Sequence, residues 1–305
     1  MTAIVPCTLP IIHTNAMSKK KEIPRPLPET LSLPHTGADS HAHLDSEGLF
    51  EHLPEIMAHA EQCGLSHIGQ VFLGPAAYHS GKDAFAPFPN VFFIMGVHPC
   101  DALECTGAVL EDMRSAFQND PRLKAVGETG LDFYWHDCPP PIQEEAFRLH
   151  IAMAQEFELP VVIHSRDAAS DSLRILESEG HAGKPLLWHC FSGDAVPHLE
   201  RILANGWHVS VGGPATYPAN QTLRDSLSHI PLERLLLETD CPYLAPIPWR
   251  GKTNEPALVA FTADTIARCL NMPADELWTI CGNNTLNFFK IADNKQDGNL
   301  PKTSL

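Results

Sequence analysis

Positive charge is scarce in this sequence. Lysine and arginine together number 21 against 37 acidic residues, a formal net charge of −16 over 305 residues. Non-specific affinity for nucleic acid rests on basic side chains that neutralise phosphates, so a surface that coats long duplexes is excluded. A site that meets phosphate through bound cations stays open, because divalent ions reverse the local field. Long apolar runs are also missing. None approaches the roughly 20 residues needed to span a bilayer. The basic run Lys19 to Lys21 follows the amino-terminal apolar stretch instead of preceding it, the wrong order for a signal peptide. The nine cysteines form no C-x-x-C pair and no regular framework. Such a set, without a secretory signal, fits reduced thiols, and the expected location is cytoplasmic. Finally, no G-x-G-x-x-G follows the first apolar run, so a dinucleotide-binding sheet would lack its phosphate cradle.

What is present is alternation. Short runs rich in Val, Ile and Leu predict strands at 37–43, 68–74, 91–97, 123–129, 160–164, 185–189, 206–212 and 234–239. Helical periodicity lies between them, for example at 49–63, 106–118, 142–158, 169–180, 195–205 and 219–229, with closing helices at about 255–270 and 273–290. Strand–helix alternation implies parallel βα units, and eight of them predict an α/β protein with a (β/α)8 TIM barrel spanning 37–293. Residues 1–36, interrupted by Pro24, Pro26, Pro28 and Pro34, predict an amino-terminal extension with little structure. Residues 294–305 read as a polar carboxy-terminal tail.

Six metal-type ligands close these apolar runs in a fixed order. They are His41 and His43 in DSHAHLD, Glu128 in VGETGLD, His164 in PVVIHSRDA, His189 in LLWHCFSG and Asp240 in LLLETDCPYLAP. A TIM barrel gathers the carboxyl ends of all its strands around one mouth, where its active site lies. His41 and His43 share a strand face because side chains alternate. Glu128 sits between Gly127 and Gly130 in an expected turn, where glycines let backbones crowd together. Asp240 can both ligate an ion and accept a proton from water. Four imidazoles and two carboxylates exceed the roughly three protein ligands of one catalytic zinc. Two adjacent divalent ions activating a water for hydrolysis is the economical reading.

These stretches, with GVHP, RGKTNEP and the late GNNTLNFF, resemble the TatD family of metal-dependent deoxyribonucleases over about residues 38–290. The resemblance implies an amidohydrolase-like barrel that hydrolyses DNA phosphodiesters, often from the 3′ end. By position it implies that His41, His43 and Asp240 hold one metal, His164 and His189 the other, and that Glu128 bridges them. Magnesium, manganese or zinc would serve. Many barrels of this superfamily bridge with a carboxylated lysine, and Glu128 favours the nuclease branch. The chain departs from the family at Cys241, where Ser is common, at Thr253, where Arg is usual, and in its amino-terminal extension.

Around this set, His98 is a candidate for the phosphate or leaving group. Arg250 and Lys252 are candidates for a neighbouring phosphate. Arg166 and Asp132 would orient ligands. Phe133, Tyr134 and Trp135 stand beside Glu128, and Tyr134 and Trp135 could stack on bases. The expected function is a 3′–5′ exonuclease-like deoxyribonuclease whose partner is single-stranded or terminal DNA. An amidase or esterase, such as a D-aminoacyl-tRNA deacylase, would use the same site. A non-enzymatic barrel that binds a partner is disfavoured by the complete ligand set. The sequence does not reveal the oligomeric state.

Overall fold

The computed structural model describes residues 25–292. Eight strands run in chain order: β1 (Gly37–Ala42), β2 (Leu65–Leu73), β3 (Val91–Gly96), β4 (Leu123–Asp132), β5 (Val161–Arg166), β6 (Leu186–Trp188), β7 (His208–Val211) and β8 (Leu235–Leu237). Each pairs in parallel with the next. Helices α1 (Leu53–Gln62), α2 (Pro75–Gly81), α3 (Gly107–Asn119), α4 (Pro140–Glu156), α5 (Ala169–Ser178), α6 (Leu199–Ala204), α7 (Gln221–Ser226) and α8 (Val259–Cys269) separate or follow them, and α9 (Ala274–Phe288) ends the described chain. This is the expected (β/α)8 barrel. The helix α2 was not expected. Its stretch is short and rich in Pro, Gly and Ser, and it is held by Tyr78, buried against Phe72 and Phe93.

Strand periodicity divides the core into two layers. Val71, Phe92, Ile94, Ala125, Val162, Leu187 and Leu236 fill the barrel, which Phe288 and Phe289 plug. Residues of opposite parity, such as Ile68, Met95, Ile163, Trp188 and Leu237, face the helices. Continuing the inward parity toward the carboxyl ends gives His98, His164, His189 and Asp240 directly.

Glu128 is the exception, and the structure corrects the expected turn there. β4 runs on through Asp132, with an irregularity in its pairing to β5 between Val126 and Thr129. Three residue steps on β4 match two on β5, from Val161 to Ile163. That extra residue is a bulge, which reverses side-chain parity. Ala125 points inward, so strict alternation would turn Glu128 out toward the helices. The bulge turns it into the mouth. Close packing accompanies it: a Cβ added at Gly130, whose φ is 136°, would lie 2.1 Å from the His164 carbonyl oxygen.

The ring closes between β1 and β8. Ala42 bridges Cys241, and the Asp240 amide donates to the His41 carbonyl at 2.9 Å. The buried Asp39 carboxylate accepts from the Thr239 amide at 2.9 Å and from its hydroxyl at 2.5 Å. Closure therefore sets His41 beside Asp240.

The structure departs from the expected loose extension where it is described. Residues 25–36 contain a 3-10 turn at Pro28–Leu31 and lie against the barrel. Arg25 donates to the Pro248 carbonyl, and the indoles of Trp249 and Trp278 donate to the Pro26 and Pro34 carbonyls. Residues 1–24, and the tail expected at 294–305, lie outside the described residues.

Candidate active site

The strand ends surround a cleft of about 770 Å³. Glu128 stands at its floor, 3% exposed, with its two oxygens facing different neighbours. Oε2 lies 3.3 Å from His41 Nε2 and 3.6 Å from His43 Nε2. His43 Nε2 lies 3.3 Å from Asp240 Oδ1 and 3.3 Å from His41 Nε2. On the other side, Oε1 lies 2.7 Å from His164 Nδ1, 3.4 Å from His189 Nε2 and 3.7 Å from His98 Nε2.

These separations test the donor set for a metal. Two ligand atoms about 2.1 Å from one ion in tetrahedral array stand ~3.4 Å apart. Most of the donor pairs lie close to that spacing, too long for strong charged hydrogen bonds. His41 Nε2 and His43 Nε2 face each other at 3.3 Å, a pair that one shared proton or one metal ion could bridge. The donors fall into three groups: His41, His43 and Asp240; His41, Glu128 and His189; and His98, Glu128 and His164. This mix of imidazole and carboxylate donors fits the chemistry of a divalent metal. The expected partnership of His164 with His189 is the looser one, with ring centroids 6.3 Å apart. His189 instead stacks on His41 at 3.7 Å.

Hydrogen bonds behind the donors fix which nitrogen is available. His189 Nδ1 donates to Glu238 Oε2 at 3.0 Å, which leaves Nε2 as the ring nitrogen facing the cleft. Glu238 is fully buried and also accepts from the Cys190 amide and the Ser210 hydroxyl. Asp132 accepts from His164 Nε2 at 2.8 Å, and from the amides of Tyr134 and Trp135. His98 differs. Its Nδ1 accepts the Cys100 amide, so its proton sits on Nε2. Burial holds this ring near pKa 4, hence neutral. It can donate a hydrogen bond into the cleft, which suits a substrate oxygen better than an ion.

Charge in the site is strongly coupled. Burial opposes ionisation of Glu128, but His189 and the hydrogen bonds from His164, His189 and His41 hold it well below the usual carboxylate range. Asp240 is likewise lowered against its burial by the His43 hydrogen bond and by the nearby imidazoles. Burial would lower His164, yet Asp132 and Glu128 raise it to about 9. The two carboxylates thus favour positive charge on His43, His164 and His189, whereas burial holds His41 and His98 toward the neutral form.

Of the expected substrate contacts, His98 and Trp135 line the cleft, and so does Arg166. Tyr134 lies beneath Arg166, whose guanidinium sits 3.7 Å from the ring centroid. Arg250 and Lys252 are exposed and do not line the cleft. Arg250 lies over Tyr217 instead. Sequence reasoning missed several residues. Glu238 shares the inward parity of Asp240 two positions later, a signal present in the strand pattern. Tyr243, 59% exposed, and Leu244 line the lip of the cleft. Asn254 donates to the Thr239 and Tyr243 carbonyls and so shapes the turn after Asp240. His150 on α4 accepts the Val97 amide at 2.9 Å and anchors the approach to His98.

The model of the TatD related DNase family matches residues 38–290. The chain belongs to this family. It is 35% identical over 253 residues to a metal-dependent hydrolase of Bacillus subtilis, YabD, covering 83% of this chain and 98% of that one. It is 32% identical over 250 residues to a protein of Edwardsiella piscicida named 3'-5' ssDNA/RNA exonuclease TatD, covering 79% and 94%. Among solved structures, the TatD homolog YjjV of Escherichia coli superposes with a TM-score of 0.79 at 26% identity, covering 84% of this chain and 99% of that one. This TatD-family chain is a metal-dependent hydrolase, and its candidate ligands are the donors gathered around Glu128.

Proposed function

We propose that this chain is a divalent-metal-dependent deoxyribonuclease that hydrolyses phosphodiesters at single-stranded or terminal DNA, in the manner of a 3′–5′ exonuclease. The observation that carries the reading is Glu128 at the floor of the cleft, its two oxygens facing separate groups of donors. His41, His43 and Asp240 would hold one ion, His164 and His189 a second, with Glu128 shared. Zinc, manganese and magnesium all suit the mixed imidazole and carboxylate set. Bound ions would polarise the phosphate and lower the pKa of the attacking water.

The chain's own residues supply the rest. Asp240, held toward its ionised form and 15% exposed at its side chain, would take the proton of that water. His98 Nε2–H would donate to a phosphate oxygen or to the leaving group. Among the described residues, Arg166 is the one lysine or arginine side chain lining the cleft. It takes the role expected of Arg250 and Lys252. Trp135 and Tyr243 offer exposed rings on which unpaired bases can stack. One lysine or arginine at the mouth among the described residues, and a net charge of −16, give few phosphate contacts, which suits a strand end and not a duplex. The exonuclease of Edwardsiella piscicida supports this choice. No helix among the described residues is long and apolar enough to cross a membrane. The eight described cysteines are thiols, which suits a reducing cytoplasm.

The test is metal-stripped protein reloaded with each ion and assayed on 3′-labelled single-stranded DNA, blunt duplex DNA, RNA and D-aminoacyl-tRNA. Single strands should be cut fastest, with a shallow dependence on salt. Faster cleavage of duplex, or a steep salt slope, would overturn the strand preference. Activity confined to the aminoacyl ester would make the chain a deacylase.

A further inference from the structure

A second group of metal-type donors stands on the flank of the barrel, outside the cleft. His59 lies in α1, and Cys63 caps that helix one turn later. Glu29 reaches them from the Pro28–Leu31 turn, and Glu255 from the loop before α8. Donor atoms of Glu29, His59 and Cys63 all lie within 4.8 Å of one another. His59 Nδ1 is 2.9 Å from Glu255 Oε1, a hydrogen bond, whereas His59 Nε2 is 3.3 Å from Glu29 Oε2. The second distance is long for a charged hydrogen bond, about 2.7–2.9 Å. It matches the ~3.4 Å between nitrogen and oxygen ligands of one tetrahedral zinc.

The chemistry agrees with the spacing. Residues one helical turn apart share a face, so His59 and Cys63 can chelate. A carboxylate on the far ring nitrogen is the usual means of fixing a metal-binding histidine, and Glu255 occupies that place. A thiolate and the Glu29 carboxylate would balance a divalent charge. Cys63 is 3% exposed, while the Glu29 and His59 side chains are 30% and 27% exposed, which leaves a way in and a position for water. None of these residues lines the catalytic cleft.

We propose that Glu29, His59 and Cys63 bind one zinc-class divalent ion, oriented by Glu255, and that this ion fastens the Arg25–Thr36 segment to the barrel. Binding converts the Cys63 thiol to thiolate and releases its proton to solvent. The soft sulfur selects zinc or cobalt over magnesium.

The test uses the full chain, stripped with chelator and reloaded with Zn²⁺ or Co²⁺. The ligands expected in the cleft are nitrogen and oxygen, although Cys100 lines it, so a thiolate-to-cobalt charge-transfer band that Cys63→Ser removes reports on the flank site. Wild type should show the band and bind one zinc equivalent more than Cys63→Ser, which should lack the band. Should Cys63→Ser fail to fold, Glu29→Gln serves instead. That change is partly exposed and remote from the cleft. It should weaken zinc at this site by at least about tenfold and leave DNA hydrolysis unchanged. No band at saturating cobalt, a band that persists in Cys63→Ser, or zinc affinity unmoved by Glu29→Gln would overturn the proposal. The His59–carboxylate contacts would then be an ion-pair clamp only.

Discussion

Replacing Glu238 with glutamine keeps the side-chain volume and removes one acceptor from a buried knot of three donors. In the native chain Oε1 accepts the Cys190 amide at 2.7 Å, and Oε2 accepts the Ser210 hydroxyl at 2.6 Å and His189 Nδ1 at 3.0 Å. A carboxamide offers one acceptor oxygen and two donor hydrogens. The Cys190 amide cannot reverse its role, so the glutamine oxygen stays there. The new NH₂ then faces Ser210, which can rotate to accept, and His189, which cannot do so without changing tautomer. His189 would have to move its proton to Nε2, the atom 3.4 Å from Glu128. A protonated Nε2 has no lone pair for an ion.

Loss of such an orienting carboxylate typically lowers metal affinity or activity 10–100-fold, about 1.4–2.7 kcal/mol. Metal titration of stripped protein by calorimetry would measure it, together with initial rates on single-stranded DNA at limiting and saturating metal. Glu238→Gln should show weakened binding and a rate deficit that narrows as metal is added. Ser210→Ala, which leaves the His189 contact in place, should change metal affinity little. If Glu238→Gln bound metal and turned over like wild type, Glu238 would not set the His189 tautomer, and His189 Nε2 would not be an ion ligand.

Glu128→Gln should abolish nearly all hydrolysis while circular dichroism shows the fold retained; near-native turnover at saturating metal would contradict a bridging role. Stripped protein should lose stability as pH rises. His164 is held up to about 9, above the unfolded value of about 6.5, so its contribution is full below pH ~6.5 and is lost as pH climbs through about 9. Metal-loaded protein, in which ions replace those protons, should lack that slope, and melting curves of the two forms across this window compare them. A stripped protein whose melting temperature rose with pH would refute the assignment. Trp135→Ala combined with Tyr243→Ala should raise KM for single-stranded DNA with little change in kcat, since base stacking contributes about 1–3 kcal/mol per base. An unchanged KM would remove the aromatic lip from the substrate path.

The strand order, the barrel and the ring of ligands were legible because they follow from local periodicity. Each of β5, β6 and β8 carries its inward alternation past its core residue to a ligand, so Val162, Leu187 and Leu236 predict His164, His189 and Asp240 by parity alone. Three features were not legible, because each depends on which distant segment lies alongside. The bulge that turns Glu128 inward exists only in the register of β4 against β5, and parity read from β4 by itself points that residue the wrong way. The choice of His98 or His189 as neighbour to His164 depends on the bends after the strands. The packing of residues 25–36 rests on buried Pro28 and half-buried Leu33 and on single contacts to His59, Pro248, Trp249, Trp278 and Thr279, most of which lie far away in sequence and have no periodicity to announce them. Sequence determined which side chains reach the mouth from each regular strand. Only tertiary contact decided how Glu128 joins them and which nitrogen of each imidazole is left free to act.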